Sequence, residues 1–259
     1  MDEKLHLSLY GRYLWDERGA LVVRGDFTEA LVSRDLYQRR FGIAPAKSAF
    51  AEPLDRALAA AGLAALSLAE RESWGWTLSM PGSEAGLFVA VEPEGMICGR
   101  ARRAEKQGAA AVVQRQRAGG EPVQSLYDPP DSDPVRAVEE YFASSAQIPT
   151  RIAQPGRGPG ALLQALPKGS IEDLAGLDDA ELLERIDAEI EAGRLRRLEE
   201  VVLFYECRCD EEMLRSSLEA LSAREQSDLW NGRDEIEAEC PRCGRVYRIG
   251  RAKRGGRGD

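Results

Sequence analysis

Along the first half of the chain, short apolar runs follow one another, mostly punctuated by Gly or Pro. They are LHLSLYGRYLW (5–15), which alternates over part of its length, then ALVV (20–23), WGWTLSM (74–80), GLFVAVE (86–92), MICGRA (96–101) and AVVQRQR (111–117). Runs of this length and punctuation predict strands of an antiparallel sheet. Between them, from Pro53 to about Ala69, Leu54, Leu58, Ala61, Ala65 and Leu68 recur at helical spacing, and alanines fill most of the remaining face. That pattern predicts a helix buried nearly all round. A second helix is predicted from Asp133 as N-cap with Pro134 in the first helical position; Val135, Val138 and Phe142 share one face and Pro149 ends it. The Gly-rich QPGRGPGALLQ (154–164) reads as a loop between strands. Strands and helices do not alternate, so residues 1–167 read as an α+β domain, a mainly antiparallel sheet with packed helices.

The texture then changes twice. Residues 168–200 are highly charged, with a narrow apolar stripe of Leu182, Leu183, Ile186 and Ile190 that Asp178 or Asp179 can cap and Gly193 can stop. This predicts a helical linker whose stability depends on what it packs against. Residues 201–250 read as a small separate domain. Asp210 can cap a helix bearing Leu214, Leu218 and Leu221, and Ser222 with Glu225 forms a capping box for another running to Trp230. NGRDE is a turn signal, and EIEAE and RVYRI are short strands. Residues 251–259 read as a disordered basic tail.

Charge narrows the possible partners. The formal net charge is −9 over 259 residues, which provides no overall cationic field for nucleic acid or anionic lipid. No basic-then-apolar leader is seen at the start, and Ala57–Ala69 is too short to span a bilayer. The expectation is a cytoplasmic protein with no membrane partner.

Four of the five cysteines fall into two tight pairs, Cys207-x-Cys209 and Cys240-x-x-Cys243, separated by thirty residues. Two such pairs separated by a small helical hairpin form the ligand set of a closed tetrahedral zinc site, and Gly244 suits the sharp turn of a metal knuckle. The alternatives are reduced thiols that happen to cluster, or a redox dithiol at CPRC, though that motif belongs in a βαβ setting absent here. About fifty residues bury too little apolar surface to be secure alone, and structural zinc can add on the order of 10 kcal/mol of apparent folding free energy. An oxidant that joins each close pair, Cys207 with Cys209 and Cys240 with Cys243, would remove every ligand together. Cys98 reads as a buried small apolar side chain.

Little points to an enzyme. His6 is the only histidine, no phosphate-binding loop is present, and four thiolates leave a zinc ion no open position for substrate or water. The expectation is a protein that is not an enzyme. A zinc ribbon that binds nucleic acid or ribosomes is the competing reading, with the basic tail as contact. Asp210, Glu211, Glu212, Asp234, Glu235, Glu237 and Glu239 around the cysteines oppose it by like charge to phosphate.

The segments ECRCDEEMLRSSLEALSAREQSDLW (206–230) and EIEAECPRCGRVYRI (235–249) resemble the zinc domain of the heat shock protein 33 family of redox-regulated chaperones. Upstream, VEEYFASSAQIPTRI, GALLQALP, RGALV, the alanine-rich helix and LFVAVEPEGMICGRAR resemble that family's segments in order, as a divergent member with a short linker. The resemblance implies an ATP-independent holdase, compact and inactive while Cys207, Cys209, Cys240 and Cys243 hold zinc. Oxidation would release zinc, unfold the C-terminal domain and destabilise the linker, exposing apolar surface that captures unfolding client proteins. The resemblance also implies a homodimer in the oxidised state.

Overall fold

The structure is a computed structural model that describes residues 6–68, 70–104, 108–154 and 156–251. Its framework is a ten-stranded sheet. In chain order the strands are β1 (Ser8–Trp15), β2 (Ala20–Asp26), β3 (Ser73–Ser79), β4 (Ala85–Val91), β5 (Met96–Arg103), β6 (Ala110–Gln116), β7 (Val123–Tyr127), β8 (Thr150–Ala153), β9 (Pro159–Ala165) and β10 (Arg196–Tyr205). Their spatial order is β7-β6-β3-β4-β5-β10-β1-β2-β9-β8. All neighbours are antiparallel except β5 and β10, which meet in parallel only at Phe204 opposite Met96 and Tyr205 opposite Ile97. The sheet is therefore two antiparallel meanders sewn together by one short seam. At that seam Gly95 takes φ +87, and a Cβ there would lie 2.1 Å from the carbonyl oxygen of Val202, so only glycine fits.

Three helices cover one face: α1 (Thr28–Arg40), α2 (Ser48–Leu66) and α3 (Pro134–Glu140), the last continuing as a π-helical turn over Tyr141–Ala146. The alanine-rich helix is buried at every position from Ala57 to Leu66, as its pattern requires. It begins at Ser48, ahead of the expected start, and accommodates Pro53 near its N-terminal end. The cap of α3 is as read: the Asp133 carboxylate accepts from the backbone N–H of Val135 at 2.9 Å. Helix α1 carries no apolar stripe visible in sequence, because Arg34 shares its buried face with Ala30, Leu31 and Tyr37. That arginine is neutralised by the buried Asp55 of α2.

The opposite face of β1, β2, β8 and β9 is covered by a short turn of helix, α4 (Glu172–Ala175), and by α5 (Asp179–Glu191). Leu182, Leu183 and Ile186 of α5 pack on Trp15, Val22, Ala153, Ala161 and Leu163. Consecutive pairs such as Val22 with Val23 and Leu162 with Leu163 therefore point into different cores, the second of each pair into the α2 side for Val23 and the α5 side for Leu163. Asp178 caps α5 through a full capping box, its carboxylate accepting from Glu181 N–H at 2.8 Å while Glu181 accepts from Asp178 N–H at 3.1 Å. Gly193, φ +68, follows its end. Arg24 clasps Asp187 with two hydrogen bonds of 2.8 and 2.9 Å, and the Asp179 carboxylate takes the backbone N–H of Gln154 at 2.9 Å.

Beyond β10 lie α6 (Glu211–Glu219), α7 (Ala223–Trp230) and the hairpin β11 (Glu235–Glu239) and β12 (Val246–Gly250). Strand β10 runs across residues 200 and 201, so one strand carries the chain from the charged segment into the cysteine region. Of the expected basic tail only Arg251 is among the described residues. No helix among the described residues is long and apolar enough to cross a membrane.

Candidate metal centre

Two backbone devices bring the cysteines together. Cys207 and Cys209 follow β10 just past the seam, where Glu206 N–H bonds the carbonyl of Ile97 at 3.0 Å. Asp210 then accepts from Met213 N–H at 2.7 Å and turns the chain into α6. The second pair sits at the tip of the β11–β12 hairpin. There the N–H of Gly244 bonds the Cys240 carbonyl at 3.0 Å and the N–H of Cys240 bonds the Arg245 carbonyl at 2.8 Å. Gly244 adopts φ +87, the left-handed conformation that a knuckle demands.

The structure places all four predicted thiols in one cluster. The Sγ atoms of Cys207, Cys209, Cys240 and Cys243 lie within 4.8 Å of one another, all four side chains are buried, and the Cys209 and Cys243 sulfurs are 3.5 Å apart. A tetrahedral four-thiolate site with metal–sulfur bonds of about 2.3 Å needs sulfurs about 3.8 Å apart, so this donor set fits a soft cation with small adjustments. The four can therefore hold a metal ion, and each can offer a thiolate. Hydrogen bonding with Cys207 draws the Cys209 thiol down to about 7 and Cys240 well below its ordinary value, while the bond with Cys209 pushes Cys207 up. The cluster shares a few protons among four sulfurs, and a cation can take their place.

The surroundings tie this cluster to the large sheet. The Tyr37 hydroxyl of α1 lies 3.6 Å from the Cys243 sulfur, and burial pushes that phenol well above its ordinary value. The Tyr247 hydroxyl donates to the Cys209 carbonyl at 2.6 Å and lies 3.2 Å from its sulfur. Arg245 stacks over Phe41 at 3.8 Å and Tyr247 at 4.6 Å. Arg100 of β5 donates to the Cys240 carbonyl at 3.2 Å and to Glu239 at 2.6 Å. Arg242, between the second pair, bonds Glu92 just after β4, and Arg208, between the first pair, bonds Glu94 in the same turn. An arginine inside each cysteine pair is thus an anchor to the same turn.

Sequence reasoning singled out the four cysteines that the structure brings together and missed these anchors. Acidic residues crowd the cysteines in the sequence, yet Asp210 is used as a cap, Glu239 is bound to Arg100 and Glu237 pairs with Arg248. The side chains that reach the sulfurs are the tyrosines Tyr37 and Tyr247, while the arginines around them bond backbone and carboxylates. Arg208 and Arg242, one inside each pair, were the available signal. Cys98 is buried in β5 opposite Ala90, as expected. His6 pairs with Glu29 at 2.6 Å and is not part of the cluster.

Comparison with known proteins agrees with this geometry. A family model described as Hsp33 protein matches residues 28–250. The 33 kDa chaperonin of Shewanella sediminis is 33% identical over 135 residues, 45% of this chain and 47% of that protein. The 33 kDa chaperonin of Aquifex aeolicus is 44% identical over 48 residues, 18% of this chain and 15% of that protein. The chain thus spans about half the length, or less, of these curated relatives. In fold it is similar to the crystal structure of the 33 kDa chaperonin, a heat shock protein 33 homolog, from Thermotoga maritima. That match has a TM-score of 0.70, 19% identity and 95% coverage of each chain.

Proposed function

The chain belongs to the Hsp33 family, and from that membership we propose that it is a redox-regulated, ATP-independent holdase for unfolding proteins, acting by binding rather than catalysis. The observation that carries this reading is the burial of four mutually close thiols in the same continuous core as α1 and the large sheet. Residues 201–250 are the switch, 168–200 the linker and 1–167 the part that binds clients. Cys207, Cys209, Cys240 and Cys243 hold one Zn2+, which when bound supplies the cross-link that keeps the small domain folded.

The switch follows from the chain's own thiols. In each close pair, two thiols give two electrons to peroxide. The O–O bond breaks, two waters leave, and a disulfide forms between Cys207 and Cys209 or between Cys240 and Cys243. No metal ligand then remains, and a module of about fifty residues cannot stay folded on its apolar surface alone. Its loss removes the anchors on Glu92, Glu94 and Phe41 and frees the C-terminal end of β10. The linker helix α5, joined to that region through β10, then covers Trp15, Val22 and Leu163 on the opposite face of the sheet. Release of α5 supplies a contiguous apolar face of the kind that binds unfolded chains.

The test measures zinc release and suppression of client aggregation in the same samples, before and after peroxide. Both should rise together, and a chelator strong enough to strip the reduced chain should melt residues 207–250 without oxidant. Equal aggregation suppression by the reduced, oxidised and Cys240→Ser forms would refute the switch.

A further inference from the structure

Beside the second cysteine pair the fold leaves a cleft of about 400 Å³ between the end of α1, the start of α2, β5 and the knuckle. Ile43, Phe50 and Leu54 give it an apolar surface, and Cys243 and Gly244 form part of its lining. Arg100, Arg102, Arg103 and Lys47 also line it, against a single carboxylate, Glu239. That carboxylate is already bound to Arg100 at 2.6 Å. Arg103 meets Glu84 at 3.3 Å with both side chains largely exposed, a pair of little strength. Lys47 and Arg102 are exposed and have no ion partner among the described residues.

This surplus of positive charge stands out on a chain of formal net charge −9. Its walls are kept low by two glycines with positive φ, Gly42 at +62 and Gly244 at +87. A Cβ on Gly244 would point at Arg100 and Ile43, each 3.6 Å away. A cleft lined by one sign of charge raises the local concentration of the opposite ion, and here it does so over Cys243, a lining residue that is itself only 2% exposed.

We propose that this cleft binds small anionic disulfides, glutathione disulfide among them, and presents them to the Cys243 sulfur. The proposal rests on reading the four cysteines as a redox site and adds which reagents that site admits. The Cys243 thiolate attacks one sulfur of the bound disulfide. The S–S bond breaks, a mixed disulfide forms on Cys243, and one small thiolate leaves and takes up a proton. The Cys240 thiolate then attacks the Cys243 sulfur, expelling the second small thiolate. The two protein thiols are oxidised to a disulfide, and the reagent is reduced to two thiols. Anchoring by Lys47 and Arg102 favours an anion over a neutral or cationic disulfide.

The test uses the full-length, reduced, zinc-loaded chain. Rates of adduct formation are followed by rapid quenching and peptide mass spectrometry with glutathione disulfide, neutral hydroxyethyl disulfide and cationic cystamine. Each rate is divided by that on the urea-unfolded chain to remove intrinsic reactivity. The normalised rates should fall in the order anionic, neutral, cationic, with about tenfold between the extremes. The spread should shrink in high salt, where screening acts over a few ångströms, and in Lys47→Gln/Arg102→Gln. The first adduct should lie on Cys243. Equal normalised rates, or a first adduct on Cys207 or Cys209, overturn the proposal. If the double variant misfolds, the salt dependence of the natural chain decides alone, and its absence is fatal. Zinc release by peroxide without any charge order refutes the cleft only. Zinc retained under peroxide contradicts the redox reading, while the adduct rates still judge the cleft.

Discussion

Ile186→Ala tests whether the linker helix is a releasable cover. Ile186 is fully buried between α5 and the sheet, beside Leu182 and against Trp15, Val22 and Leu163. Removing three carbons from such a site costs about 3 kcal/mol within a usual span of about 2–5. The other ties of α5 are weaker. The Arg24–Asp187 clasp is partly exposed, with 44% of the Asp187 side chain accessible, and such pairs contribute roughly 0–1 kcal/mol. The apolar stripe therefore dominates. At about 1.4 kcal/mol per tenfold, the loss raises the population of chains with α5 undocked about 150-fold. Hydrogen exchange read by mass spectrometry should show amides of residues 179–191 speeding up by about that factor. Peptides from α2 and β3 should keep their rates, and the reduced, zinc-loaded variant should suppress client aggregation without oxidant. Unchanged exchange in 179–191, or equal acceleration across all peptides, refutes the idea that α5 opens as a separate unit.

Three further outcomes follow from the candidate metal centre and its anchors. Gly244→Ala places an L side chain at φ +87 with only ordinary contacts around its Cβ. The backbone conformation alone should cost about 1–2 kcal/mol, read as zinc loss at a lower chelator concentration. Tyr247→Phe deletes the hydroxyl that serves Cys209 and should destabilise the small domain by about 1–3 kcal/mol, seen as a lower melting temperature for residues 207–250. At Glu92, burial opposes ionisation, but hydrogen bonds from Arg242 and Ser73 outweigh it and hold the carboxyl below its ordinary value. A depressed folded-state value means that this stabilisation is present above the ordinary carboxylate range and is lost as pH falls through the lowered value. Exchange in residues 240–250 should accelerate under acid, and Glu92→Gln should flatten that dependence. An identical acid profile in the variant refutes the assignment.

Much of this was legible because local signals and tertiary structure agree. The caps at Asp133, Asp210 and Ser222, the buried alanine helix and the four thiols each carry their partner within a few residues or within one strongly typed ligand set. What was not legible depends on distant partners. Helix α1 hides its buried face behind Arg34, whose charge is answered only by Asp55 of the next helix. Strand β10 opens with charged residues that suggest a solvated segment, yet it lies between β1 and β5 because both need a neighbour. The anchors Arg208 and Arg242 are meaningful only once the turn holding Glu92 and Glu94 has been placed beside them by the sheet.

The seam at β5 and β10 gives the molecule a crease. Strand β10 is matched to β1 at seven positions but to β5 at two, and Cys207 lies two residues past the last of them. A pull along the chain from the cysteine end therefore bears first on the shortest row of stitches in the sheet. A pull from the α5 end is resisted along the whole length of β1. Load entering at the cysteine end reaches the two-pair seam before the seven-pair ladder, and load entering at the α5 end reaches the ladder first.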